Sequence, residues 1–312
     1  MQEDLKYLFH SILVMKRDRI FNGVFPAVIT PFDEEENVDE TRLKDFLDHV
    51  IEGDAHGIYL LGTNGEGPLL TLEEKKVVIE TTLEHVNEVP VIVGSMCNST
   101  KNAVEISRFA DDKGADAVHV IVPYYYPITQ KSLRVHLEDV SNEIDIPMFL
   151  YSIPQFTGNE IDTSTVIDLI DVDKLIGIKD SSGDVDFFYR TMKKVRKKRE
   201  EFIFFGGDDS QIFNYLAMGG DGSVTAVGNV FPELVTEIYE NYRSGDLKDA
   251  VKKQRKVIEI KDIFDRYPTM SAVKGALKLR GLNFGDLRKP MYSLNASELE
   301  KLEEELEEIG MI

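Results

Sequence analysis

A lysine closes one of the most apolar runs of this chain. In Leu175-Ile176-Gly177-Ile178-Lys179-Asp180 the ammonium stands where burial is most costly, because an unpaired charge removed from water costs several kcal/mol. Other chemically capable residues end other apolar runs. Thr63, Asn64 and Glu66 follow one, Tyr124, Tyr125 and Tyr126 a second, Tyr151 ends a third, and Gly207 with Asp208 and Asp209 ends a fourth. An amine, several phenols and a hydroxyl suit Schiff-base chemistry on a ketone. The lysine must be neutral to attack, and a low-dielectric setting disfavours its ammonium. A tyrosine beside it can carry protons to and from the carbinolamine. Each residue also has a plainer reading when taken alone. Lys179 could snorkel to water, the tyrosines could be core or interface aromatics, and "GTNGEGP" could be a tight turn.

The elements that would position these residues follow from the apolar spacing. Short β-branched and aromatic runs recur at 24–30, 57–62, 89–95, 116–123, 146–152, 174–180, 201–207 and 222–228. None alternates strictly along its length, which suits strands of a parallel sheet buried on both faces. Amphipathic stretches lie between them. One opens at Thr71 with Glu74 three residues later, a capping-box pattern; the next opens at Ser99-Thr100 and closes on Gly114. Another opens at Asp209 or Ser210 and ends on glycine. Eight strand-like runs, each followed by a helix-like one without a Pro/Ser linker, predict an α/β fold: a (β/α)8 TIM barrel whose reactive residues share the C-terminal ends of the strands. The expected barrel spans 21–245. Residues 246–312 read as a C-terminal helical extension and 1–20 as an N-terminal extension. The acidic start without an A-x-A-like site argues against a signal peptide. Whether Met1 or Met15 starts the chain stays open.

Composition excludes several function classes. A net charge of −20 argues against nucleic acid or an anionic membrane as the main partner. The basic run "KKVRKKR" at 193–199 reads as a solvated helix face. The single cysteine, Cys97, forbids an intrachain disulfide and suits a cytoplasmic location. No stretch approaches the roughly 20 apolar residues of a spanning helix. There is no phosphate-cradling G-x-x-x-x-G-K-[ST] loop, and "FGGDDS" is not a dinucleotide fingerprint. His10, His49, His56, His85, His119 and His136 lack metal-ligand spacing, so no metal or other cofactor is expected.

Together, "GVFPAVITPF", "GTNGEGPLLTLEEK", "VPYYYP", "YSIPQFTG", "GIKDSSGD", "GGDD" and "GGDGSV" carry a resemblance. From about Phe21 to its C-terminus the chain resembles the class I, lysine-dependent lyases related to dihydrodipicolinate synthase and N-acetylneuraminate lyase. The resemblance implies that Lys179 forms a Schiff base with pyruvate or a 2-oxo acid and that Tyr151 is the proton shuttle. It implies that Thr63 links Tyr151 to Tyr125, which in this family usually reaches in from a neighbouring subunit of a tetramer, a dimer of dimers. It also implies that Thr63 and Asn64 hold the substrate carboxylate at a helix N-terminus, and that Gly207 and Val224 line the pocket.

Departures from the family pattern bear on the second substrate. Dihydrodipicolinate synthases usually place an arginine where Phe156 stands, to grip the carboxylate of aspartate semialdehyde. Loss of a bidentate guanidinium is not conservative. Aldolases of phosphorylated 2-keto-3-deoxy sugar acids often carry an arginine where Ile128 stands. Asn64 and Ser152 are similar to the 4-hydroxy-2-oxoglutarate type. The expectation is therefore an aldolase that cleaves 2-keto-3-deoxygluconate, or a close sugar acid, to pyruvate and an aldehyde such as glyceraldehyde. Dihydrodipicolinate synthase, 4-hydroxy-2-oxoglutarate aldolase, a 2-keto-3-deoxy acid dehydratase and an inert 2-oxo acid sensor are the alternatives.

Overall fold

The apolar runs become eight parallel strands in the computed structural model, which describes residues 20–268 and 270–312. Of the expected N-terminal extension, all but Ile20 lies outside the described residues, as does the choice between Met1 and Met15. The strands are β1 (Gly23–Pro26), β2 (Ile58–Leu60), β3 (Val91–Gly94), β4 (Ala117–Ile121), β5 (Met148–Ser152), β6 (Leu175–Asp180), β7 (Ile203–Gly206) and β8 (Gly222–Thr225). Each pairs with its sequence neighbour from β2 to β8, and β8 pairs with β1. A parallel bridge between Ala27 and Tyr59 brings β1 back to β2, so the sheet is a nearly closed barrel. Every strand residue is buried, as strands covered on both faces must be.

The strands are shorter than the apolar runs, most clearly at β1. Val28 and Ile29 are buried although they follow the end of β1. Hydrophobicity there reports packing at the barrel mouth and not ladder pairing.

Eight helices enclose the barrel: α1 (Glu40–Glu52), α2 (Leu72–His85), α3 (Thr100–Asp112), α4 (Gln130–Ser141), α5 (Thr163–Leu169), α6 (Val185–Val195), α7 (Ile212–Ala217) and α8 (Pro232–Ser244). The capping box of α2 forms as expected: the Thr71 hydroxyl accepts from the Glu74 N–H, and the Glu74 carboxylate accepts from the Thr71 N–H. Ser99 caps α3, and Gly114 follows it at φ 89°, a left-handed conformation suited to glycine. The start expected at Asp209 or Ser210 is displaced. Asp208 instead caps a 3₁₀ turn over Asp209–Gln211, because the Asp209 carboxylate accepts from the Ala226 and Val227 N–H groups at 3.0 and 2.9 Å. The basic run at 193–199 is solvated at Lys193, Lys194, Lys197 and Lys198, as expected, while its two arginines turn inward. After α6 ends at Val195, Arg196 pairs with Asp221 at 2.5 Å and Arg199 donates to the Leu175 carbonyl at 2.7 Å.

Three further helices follow: α9 (Leu247–Phe264), α10 (Ser271–Leu279) and α11 (Ala296–Glu308). The second of them and the segment after it are wired to the barrel mouth through buried charge. Lys274 on α10 lies 2.9 Å from Glu66, and both side chains are almost fully buried. The ammonium also donates to the carbonyls of Thr30 and Asp286. The other Glu66 oxygen accepts from the Arg288 N–H at 2.9 Å, and the Arg288 guanidinium grips Glu74. Removing one partner of such a pair leaves an uncompensated buried charge. Lys274→Met should lower the unfolding free energy by about 3–5 kcal/mol, read from the urea midpoint, and the added change Glu66→Leu should recover much of the loss.

Candidate active site

Burial and chemistry converge at the C-terminal end of the barrel. Lys179, next to last in β6, is only 4% exposed. Its Nζ lies 4.0 Å from the centroid of the Tyr151 ring on β5 and 4.6 Å from that of Tyr59 on β2. Burial pushes the Lys179 pKa down from its ordinary value, opposed by Tyr151 and by the Asp209 carboxylate. A buried amine in this setting loses its proton more readily than a solvated one.

Tyr151 is also buried, and its hydroxyl is 3.0 Å from the Thr63 hydroxyl. The register explains the meeting, since Tyr151 pairs directly with Lys179 between β5 and β6. Thr63 and Asn64 sit half-buried on the turn after β2. The Gly67 and Glu66 N–H groups close that turn onto the Gly62 and Thr63 carbonyls. A 3₁₀ turn over Gly67–Leu69 follows, and α2 begins only at Leu72. The helix N-terminus that follows Thr63 and Asn64 is therefore that of a 3₁₀ turn and not of α2, because Pro68 and the left-handed Glu66, at φ 53°, divert the chain first.

Gly207 stands against the lysine. A Cβ added there would lie 2.9 Å from Lys179 Cε and 2.0 Å from Ser181 Oγ. Gly207→Ala should therefore displace the Lys179 side chain and cut its reaction with a ketone at least tenfold, measured as the rate of borohydride-trapped adduct.

Val224 sits at the inner end of the site expected to be lined by it and Gly207. It is 2% exposed and packs in the barrel interior with Phe25, Tyr59, Phe149 and Phe205, forming floor beneath the lysine. Its inward direction on β8 follows from the strand alternation that also points Tyr59 and Lys179 inward. Phe156 lies on a one-turn helix over Pro154–Thr157, half exposed. It borders a cavity of about 390 Å³ that also reaches Thr63, Met96, Ile121, Tyr124, Met270 and Met291. Ile128 packs instead against the main core, its N–H bonded to Asn159.

Within this chain Tyr125 does not join the Thr63–Tyr151 pair. Its side chain is on the surface, 82% exposed, with its ring edge against Tyr126 and its backbone left-handed at φ 75°. Left-handed non-glycine residues recur around the mouth at Leu61, Glu66, Met96 and Met270. Such strain is held where the surrounding structure over-determines the backbone.

Two residues near the lysine were not among the expected site residues. His119 on β4 is fully buried and stacked on Tyr59, with ring centroids 3.9 Å apart. Gly94 leaves the room it occupies, since a Cβ there would lie 2.3 Å from His119 Nε2. A histidine in the apolar run "DAVHVIVP" was the available signal. It carried no metal-ligand spacing and was therefore set aside.

With this geometry in place, comparison with known proteins is decisive. Residues 20–309 match the model of the dihydrodipicolinate synthetase family. The chain belongs to that family. A relative from Halobacterium salinarum, named as an uncharacterized DapA-like lyase, is 38% identical over 292 residues, covering 93% of this chain and 95% of the relative. The 4-hydroxy-tetrahydrodipicolinate synthase of Clostridium perfringens is 35% identical, covering 94% of this chain and all of the relative. The crystal structure of dihydrodipicolinate synthase from Thermotoga maritima superposes with a TM-score of 0.89 at 31% identity, covering 94% of this chain and all of that one. As a member of the dihydrodipicolinate synthetase family the protein is a class I, Schiff-base carbon–carbon lyase. Pyruvate is a substrate of the family. Among the described residues no helix is long and apolar enough to cross a membrane.

Proposed function

We propose that this protein makes and breaks a carbon–carbon bond between pyruvate and an aldehyde, through a Schiff base on Lys179. One observation carries the reading: a buried lysine amine over the Tyr151 ring, whose hydroxyl meets that of Thr63. In the cleavage direction Lys179 Nζ adds to the C2 ketone, and Tyr151 supplies the proton with which the carbinolamine hydroxyl leaves as water. The resulting iminium withdraws electrons, so the C3–C4 bond breaks as the C4 hydroxyl passes its proton to Tyr151. Protonation of the enamine at C3 and hydrolysis of the imine release pyruvate and restore the amine. Thr63 and Asn64 hold the carboxylate, Gly207 leaves the lysine room, Val224 closes the floor and Phe156 faces the aldehyde. Tyr125, exposed on its own chain, is placed to extend the relay of a neighbouring subunit in a homotetramer working in the cytoplasm.

Two aldehyde partners have specific support. The names of the curated relatives favour aspartate semialdehyde, that is, 4-hydroxy-tetrahydrodipicolinate synthase activity. Phe156, standing where a synthase arginine is expected, favours the cleavage of 2-keto-3-deoxygluconate to pyruvate and glyceraldehyde. Parallel assays separate them: condensation of pyruvate with aspartate semialdehyde, followed by a coupled reductase, against pyruvate release from 2-keto-3-deoxygluconate. Turnover in one alone decides the partner. Borohydride reduction with pyruvate tests the shared first step, and a protein without added mass at Lys179 overturns the reading.

A further inference from the structure

The middle of the barrel is rich in rings, with Phe25, Phe149 and Phe205, and two of its side chains, Tyr59 and His119, also carry polar atoms. Barrel interiors are filled by layers of branched aliphatic residues contributed by alternate strands. Here β2 and β4 contribute Tyr59 and His119, both fully buried. Their placement has a cost, since the Tyr59 hydroxyl and His119 Nδ1 have no hydrogen-bond partner among the described residues. A phenylalanine, as at positions 25, 149 and 205, would fill the space of Tyr59 without it, so this stacked pair beside Lys179 needs a reason.

The geometry supplies one. Tyr59 lies between two nitrogen-bearing groups: Lys179 Nζ stands 4.6 Å over its ring, and the His119 imidazole stacks within 12° of parallel at 3.9 Å. His119 Nε2 is fixed 3.1 Å from the Leu60 carbonyl, and Gly94 makes the space for it. Burial and the nearby Lys179 charge push the His119 pKa well below its usual value, so the imidazole is neutral. An imidazolium stacked on Tyr59 would compete for the same π density; a neutral ring does not.

We propose that Tyr59 is a catalytic residue whose π face stabilises the cationic iminium on Lys179, and that His119 is the positioning residue that holds the Tyr59 ring flat. The inference rests on the Schiff-base reading above. It goes beyond the Tyr151–Thr63 pair, because Tyr59 acts through its ring and needs no proton transfer. A cation over an aromatic face, desolvated, gains enough to shift an equilibrium by about tenfold. In the ketone, the carbinolamine and the neutral amine that charge is missing, so the ring favours the ammonium and the iminium over each of them. The groups that face Lys179 are Tyr59, Tyr151, His119 and the Asp209 carboxylate, and any titration of the amine reads their sum.

The test varies the electron density of the ring at nearly constant shape. Full-length protein carrying Tyr59→Phe is the reference, with mono-, di- and trifluorinated phenylalanine at position 59 and Tyr59→Leu as the series. Two readouts are taken: the fraction of Lys179 trapped by borohydride at subsaturating pyruvate, and, without pyruvate, the pKa of the Lys179 amine by reductive methylation with ¹³C-formaldehyde and NMR. The trapped fraction should fall stepwise with fluorination, and the apparent affinity for pyruvate should end about tenfold weaker in the trifluoro and leucine forms. The free-amine pKa should fall in the same order. His119→Leu, which frees the ring, should lower both readouts towards the leucine level. Flat series in both readouts overturn the proposal. A protein with the native residue that traps no pyruvate overturns the Schiff-base reading instead, while the amine titration still decides the π contact.

Discussion

Lys179→Met should abolish pyruvate-dependent turnover, with a loss on the order of 10⁴-fold or more, and should leave no borohydride-trapped adduct. Methionine keeps the unbranched stem but offers no amine, so the loss tests covalent chemistry and not packing. The same variant should be more stable than the parent, for a reason that the burial of Lys179 dictates. Its folded pKa is lowered, so between that value and the unfolded value the native state binds fewer protons than the unfolded state. Stability therefore rises with pH across that window, and below it the full cost of a buried ammonium is present. The gain from Lys179→Met should be largest at low and neutral pH and should fade as pH rises through the window. Urea unfolding at several pH values measures it. A variant that is less stable than the parent at neutral pH would mean that the ammonium is well solvated or paired, against the geometry.

Tyr151→Phe should lower turnover by about 10²–10⁴-fold while leaving the fold intact. The ring is 1% exposed and stays in place, so its face over Lys179 and its contacts with Tyr59 and His119 survive. What disappears is the hydroxyl 3.0 Å from Thr63, a group that can both give and take a proton. Thr63 is half-buried, so water can satisfy its freed hydroxyl, and the unfolding midpoint should move little. Slower trapping of the pyruvate adduct together with unchanged thermal unfolding would assign Tyr151 to proton transfer. Full activity in Tyr151→Phe would remove it from the mechanism.

The barrel and its reactive lysine were legible for a shared physical reason. Strands buried on both faces must be continuously apolar, so a charged residue ending one of them stands out. Lys179 and Tyr151 were readable because each closes such a run, and pairing in register makes them neighbours. The depth of Val224 was not legible, because strand direction alone does not tell the floor of a site from its rim. The type of helix after Thr63 and Asn64 was not legible, because a proline and a left-handed glutamate form a 3₁₀ turn that propensity does not foresee. Tyr59 was hidden for the opposite reason to Lys179, since it passes as an ordinary strand residue, and His119 stood out in its run but without a partner that gave it a role. The Glu66–Lys274 pair could not be read at all, since nothing local to either residue names a partner so distant in the chain.

That distance has a consequence for how the protein is made. Glu66 leaves the ribosome about 200 residues before Lys274, a delay of about 10–40 s at ordinary rates of synthesis. Throughout that interval the turn that carries Thr63 lacks the cation its buried carboxylate requires. A nascent chain can assemble its strands in order, but the mouth of the barrel takes its final form only when the last helices arrive. Synthesis stalled before α10 would yield a barrel in which Glu66 stays in water or holds a proton.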